Sequence, residues 1–252
     1  MTDWPFGDLK RGGYGAILAD PPWTFRVWAD SDKAHGSASA HYNTMSAAEL
    51  AAMPVADLAA PDCVLFMWVC WPNLIESIDL IRAWGFEYKT CGFSWMKADV
   101  STLNLFSDPV DAYMGLGYWT RANSEVCLLA THGKPKRQSA DVRQGIIAPR
   151  REHSRKPDGI HERIERLVAG PYVELFARQT RPGWDCWGNE TTKFDAYDPK
   201  RDYEQSCEYG SAKMRESKIR SGEIAPRADQ PTEQRWAEEG QIDLIEWLER
   251  PQ

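Results

Sequence analysis

Six uncharged residues, Tyr14-Gly15-Ala16-Ile17-Leu18-Ala19, run straight into Asp20-Pro21-Pro22-Trp23. An apolar run of that length reads as a buried strand. Two prolines end it, because each lacks a backbone donor and has a fixed φ. An acid, two stiff carbonyls and an indole therefore leave the strand's carboxyl end together. The carboxylate and a proline carbonyl can both accept from an NH2 group, while an aromatic face packs on a planar ring. Such a group suits an exocyclic amine on a planar base, and it leaves the nitrogen lone pair free to attack an electrophilic methyl group.

The rest of the chain alternates strand and helix signals. Ser46 and Glu49 have capping-box spacing ahead of a short helix that Pro54 limits. Cys63 to Val69 reads as a central strand, Leu74 to Trp84 as a helix closed by Gly85, and Tyr88 to Met96 as the strand completing that unit. Residues 97–123 read as a long functional loop, and Glu125 to Ala130 restarts the sheet. Asp158 to Val168 carries Ile160, Ile164, Leu167 and Val168 on one helical face; Gly170-Pro171 closes it and Tyr172 to Phe176 is the next strand. This alternation predicts an α/β fold with a mostly parallel sheet and ligands beyond the strands' carboxyl ends.

With 252 residues and 42% hydrophobic content, one sizeable core is expected over residues 1–190. Residues 191–252 are polar until Ile242-Leu244-Ile245-Trp247-Leu248, whose spacing suits a short amphipathic helix that either docks on the domain or recruits a partner. No signal segment or bilayer-length apolar run stands out, so a cytoplasmic protein is expected. The six cysteines lack Cys-x-x-Cys spacing, and His35, His41, His132, His153 and His161 form no metal set, so neither disulfide nor metal is expected.

The net charge of −7 argues against a surface that binds nucleic acid everywhere. Residues 133–167, however, hold ten Lys and Arg against five Asp and Glu. That segment reads either as a phosphate-contacting strip or as a solvated helix face.

Asp20 to Trp23 after a strand resembles motif IV of the MT-A70 family of S-adenosylmethionine-dependent adenine-N6 methyltransferases. His41-Tyr42-Asn43-Thr44-Met45-Ser46, Gly117-Tyr118-Trp119 through Leu128, Lys156-Pro157-Asp158, Glu174-Leu175-Phe176-Ala177-Arg178 and Trp187-Gly188-Asn189-Glu190 resemble further family segments, in family order. The resemblance implies a Rossmann-like methyltransferase sheet in circularly permuted order, with the catalytic motif ahead of the cofactor strand. It also makes residues 1–190 the methyltransferase domain. The absence of a Gly-x-Gly-x-x-Gly loop agrees, since S-adenosylmethionine has no pyrophosphate to seat.

By this resemblance Asp20, with a carbonyl of Pro21 or Pro22, orients N6, and Trp23 stacks on the base, shapes the pocket wall or packs in the core. Tyr42, Glu125 and Lys156 line the acceptor-adenine pocket, and Lys156 also lies near the methionine end of the cofactor. Glu174, Phe176, Arg178, Asn189 and Glu190 belong to the cofactor segments, where a carboxylate at Glu190 suits two ribose hydroxyls. Two departures are visible: Gln179-Thr180-Arg181 replaces a Pro-His-Asn-like continuation, and Glu190 replaces an amide. The implied activity is methyl transfer from S-adenosylmethionine to adenine N6 in DNA. The alternatives are RNA as the substrate, or a catalytically inactive nucleic-acid-binding scaffold. Against the scaffold stands the intact Asp20 to Trp23 segment. By analogy with the family, two copies pair.

Overall fold

The computed structural model describes residues 4–23, 44–98, 119–149 and 155–195. Tyr42, most of the expected loops 24–45 and 97–123, and the helix expected near residues 242–248 lie outside them.

Seven strands form one sheet: β1 (Tyr14–Ala19), β2 (Ala59–Val69), β3 (Glu87–Ala98), β4 (Ser124–His132), β5 (Gly145–Pro149), β6 (Tyr172–Leu175) and β7 (Trp184–Trp187). Their order is β5-β3-β4-β2-β1-β6-β7. All neighbours are parallel except β4, which runs antiparallel to both β2 and β3. The strand–helix–strand unit around residues 63–96 therefore encloses a gap, and β4 fills it. Val126, Cys127, Leu128 and Ala130 are all buried, as a strand covered on both faces requires, but such a run carries no mark of its direction. The short β5 was not legible, because it pairs only with β3 at the sheet edge.

Among the described residues, three α-helices flank the sheet: α1 (Ala47–Ala51), α2 (Leu74–Ala83) and α3 (Gly159–Leu167). The capping box on α1 forms as its spacing predicts: Glu49 N–H donates to Ser46 Oγ at 3.2 Å, and Ser46 N–H to Glu49 Oε2 at 2.8 Å. Gly85 follows α2 with a φ of 77°, a left-handed geometry that glycine adopts without a Cβ clash. Leu50 of α1 and Leu80 and Ile81 of α2 pack with Ile17, Leu65 and Met67 on one face of the sheet. Ile160 and Ile164 of α3 pack with Leu18, Phe66, Trp68 and Trp95 on the other. This three-layer arrangement is a Rossmann-like α/β fold. Among the described residues, no helix is long and apolar enough to cross a membrane.

Candidate active site

Strand parity builds the site. Leu18, Trp68, Trp95 and Cys127 share the α3 face, so Asp20, Cys70, Lys97 and Glu125, each two residues away along its strand, project to that face. Because β4 is antiparallel, its first residues lie beside the last residues of β2 and β3, with Val126 opposite Val69 and Ser124 opposite Met96. Lys156, three residues before α3, reaches into this corner.

The result is a chain of alternating charges. Lys97 Nζ lies 2.5 Å from Glu125 Oε1, Lys156 Nζ lies 3.3 Å from Glu125 Oε2, and Lys156 Nζ lies 2.9 Å from Asp20 Oδ2. Indole rings sit beneath the cations, with Lys156 Nζ 5.7 Å from the Trp68 ring centre and Lys97 Nζ 5.2 Å from that of Trp95. Burial pushes the Asp20 carboxyl above its ordinary value, against the pull of Lys156. Burial acts the same way on Glu125, yet Lys156 and Lys97 together outweigh it and hold that carboxyl down at about 2. Burial works against the charge on Lys156 as well, but Asp20 and Glu125 hold its ammonium form. Cys70, partly buried in the same corner, has its thiol pushed up to about 11 by desolvation.

The turn after β1 is fixed by its own backbone. Trp23 N–H donates to Pro21 O at 2.9 Å, and Met45 N–H to Pro22 O at 2.8 Å. Each carbonyl keeps a second lone pair. Trp23 is 5% exposed and packs in the α1–α2 core, so of its three expected placements the structure shows the core one.

Asp20 and Lys156 line a cleft whose wall also includes Glu174, Phe176, Arg178, Thr180 and Phe194. Phe176, just past β6, has a φ of 62°, which a bulky residue adopts at a cost of about 1–3 kcal/mol. Its neighbours over-determine that turn. Ala177 N–H donates to Trp187 O at 2.9 Å, and the Phe176 ring stands edge-on to Trp187 at 5.6 Å. A Cβ on Gly188 would lie 2.8 Å from Ala177 O, so only glycine passes there.

The departing segment 179–181 is held from outside. Thr180 donates through both N–H and Oγ1 to Asp195, at 2.7 and 2.9 Å, and Arg155 donates to Gln179 Oε1 at 3.3 Å. Asn189 is exposed, and Glu190 pairs with Lys193 at 2.8 Å and with Arg178 at 3.8 Å, so Glu190 meets the cleft wall through Arg178.

The structure thus brings Asp20, Glu125 and Lys156 together, with Glu174, Phe176 and Arg178 in the adjoining wall. Among the described residues of the basic segment 133–167, the cations point in different directions. Arg155 and Lys156 turn inward, Arg163 donates to the Arg143 and Gly145 carbonyls, and Arg166 pairs with Asp141 at 2.8 Å. Sequence reasoning missed Lys97, which it placed in a loop and which the structure keeps in β3. It also missed His161, whose Nε2 lies 2.7 Å from Glu174 Oε2. Strand parity from Trp95 would have found Lys97; nothing local marks His161, whose partner is 13 residues away.

The MT-A70 family model matches residues 14–190. The chain is 35% identical to the type II methyltransferase M.MunI of a Mycoplasma species, over 75% of this chain and 82% of that protein. It is 28% identical to human N(6)-adenine-specific methyltransferase METTL4, over 75% of this chain and 39% of that protein. With human N(6)-adenosine-methyltransferase catalytic subunit METTL3 the identity is 27%, over 75% of this chain and 30% of that protein. The chain thus spans most of the Mycoplasma enzyme and well under half of the two human ones. Together with the sheet and the corner that Asp20 shares with Lys156, these matches show that the chain belongs to the MT-A70 family of S-adenosylmethionine-dependent adenine-N6 methyltransferases.

Proposed function

We propose that this chain methylates N6 of adenine in DNA, using S-adenosylmethionine. The observation that carries the reading is the Asp20 carboxylate, held by Lys156 in a cleft that Glu174 and Phe176 also line. The cleft wall fits such a cofactor: rings at Phe176 and Phe194 suit a planar base, and Glu174 can accept from hydroxyls or an amine. When bound, S-adenosylmethionine supplies an electrophilic sulfonium methyl group. Residues Lys156, Glu174, Phe176, Arg178, Asn189 and Glu190 would hold it.

The protein's own groups position and discharge the amine. Asp20 accepts one N–H of the base, with Pro21 or Pro22 offering the spare lone pair of its carbonyl for the other. The nitrogen lone pair then stays free for in-line attack, so geometry supplies most of the acceleration. Methylation leaves the nitrogen cationic, and a carboxylate whose pKa burial has raised is placed to stabilise that charge and take the proton. Lys156 keeps Asp20 ionised beforehand. Glu125, locked between two lysines, stays charged and presents acceptors to the base edge; the family resemblance assigns Tyr42 to the same base. The reading includes the permuted order: the Asp20 strand precedes the Glu174 strand in the chain.

DNA is preferred because identity is higher with the type II methyltransferase, over most of its length, than with the adenosine methyltransferases. Pairing of two copies belongs to the same reading by analogy, and sedentation of the pure protein in an ultracentrifuge measures it. Transfer of labelled methyl to matched DNA and RNA, with nucleoside mass analysis, is the deciding test. N6-methyladenine in DNA that Asp20→Ala abolishes supports the reading. Label in RNA alone transfers it to RNA, and label in neither overturns the activity of the isolated chain.

A further inference from the structure

His161 and Glu174 meet in the wall of the cleft, one from the first turn of α3 and one from β6. A carboxylate oxygen only accepts, so the proton between them is the one on Nε2, donated to Oε2 over 2.7 Å. Both side chains are largely shielded, at 13% and 20% exposure, which strengthens the bond over one in open water. The imidazole is also clamped. Its ring stands edge-on to Trp184 at 4.8 Å, Trp184 stacks on Tyr172 at 4.9 Å, and the Trp184 indole N–H donates to Glu165 at 2.7 Å. Nδ1 is buried and has no hydrogen-bond partner among the described residues, so Nε2 is the ring's single polar anchor.

None of these contacts is needed to close α3 or to pair β6. The helix packs through Ile160 and Ile164, and the strand through its ladders to β1 and β7. A ring held edge-on by one indole that is itself anchored twice, with its polar nitrogen spent on a cleft carboxylate, has the form of a support for that carboxylate.

We infer that His161 is a positioning residue for the cofactor: by occupying Glu174 Oε2 it holds the carboxylate in one rotamer and leaves Oε1 to accept from a hydroxyl or amine donor in the cleft. This rests on the reading of Glu174 as a cofactor residue. The contribution belongs to binding and not to the methyl-transfer step, since Asp20 and Lys156 act on the amine without His161.

Calorimetric titration of the full chain with S-adenosylmethionine, alongside KM and kcat, tests it. His161→Phe keeps a ring beside Trp184 and removes the donor; cofactor affinity should fall about tenfold, the loss typical of a hydrogen bond to a charged group, with kcat at saturating cofactor held within about twofold. His161→Gln, whose amide nitrogen replaces Nε2, should recover most of the affinity. In a Glu174→Ala background, which removes the acceptor, His161→Phe should cost nothing further. Should the phenyl variant not fold, His161→Asn, too short to reach Glu174, takes its place. Unchanged affinity in His161→Phe, or an equal loss with and without the Glu174 carboxylate, overturns the inference. Unchanged affinity in Glu174→Ala alone overturns the assignment of Glu174 itself, a failure distinct from that of the histidine.

Discussion

Replacing Lys156 by Met removes the cation that Asp20 and Glu125 share while keeping a chain of similar length over the Trp68 ring. At 2.9 Å from Asp20 Oδ2, the ammonium attracts the carboxylate by about 6 kcal/mol at an effective dielectric constant of about 20. Relaxation and entering water return part of this, and the Asp20 carboxyl should rise further above its already raised position. Glu125 sharpens the effect. It keeps Lys97 at 2.5 Å, stays ionised, and repels the charge on Asp20 with less compensation. The assay is single-turnover methyl transfer against pH at saturating cofactor. The acidic limb should move to higher pH in Lys156→Met, with activity partly recovered under alkaline conditions. Lys97→Met, which removes a partner of Glu125 and not of Asp20, should leave that limb nearly in place. A uniform loss at every pH, or an unmoved limb, would refute the argument that Lys156 acts by keeping Asp20 ionised.

Asp20→Asn should abolish methyl transfer yet unfold at no lower temperature than the native chain. Burial raises the Asp20 pKa on folding, so its charge costs stability once pH rises through the folded value; a lower melting temperature near pH 7.5 would contradict this. Glu125 has the opposite sign. Its carboxyl falls from 4.5 to about 2, contributing about 3 kcal/mol above pH 4.5 that disappears as pH falls towards 2. Urea unfolding of Glu125→Gln should therefore show lower stability at pH 7 and a weaker dependence between pH 5 and 3, and parallel curves would count against it. Gly188→Ala places a Cβ 2.8 Å from Ala177 O and should cost about 1–3 kcal/mol while weakening cofactor binding through the Phe176 turn; calorimetric melting and titration both report it.

Legibility followed the range of the interactions. The β1 run, the α1 capping box, the Gly85 stop and the apolar face of α3 are settled within a few residues, and each formed where its pattern lies. Lys97 was misplaced because a charged residue after an apolar run looks like a strand's end. Here it stays in β3, its N–H donating to Asn123 O at 2.8 Å, because Glu125 lies beside it to take the charge. Trp23 had three readings because an indole after two prolines is equally suited to a base, a wall or a core. Packing against the α1–α2 side decided among them.

What the sequence determined by itself was the kit and the period: an acid and two prolines behind a buried strand, alternating strands and helices, and a glycine that stops α2. These depend on local sterics and on hydrophobic spacing, which a linear chain displays openly. What only the tertiary structure decided was the company each charge keeps. The antiparallel insertion of β4 brings Glu125 beside Lys97 and Lys156, and the crossing of α3 over β6 brings His161 to Glu174. A carboxylate's pKa depends on burial and on charges within a few ångströms. Those distances exist only once strands far apart in the chain lie side by side.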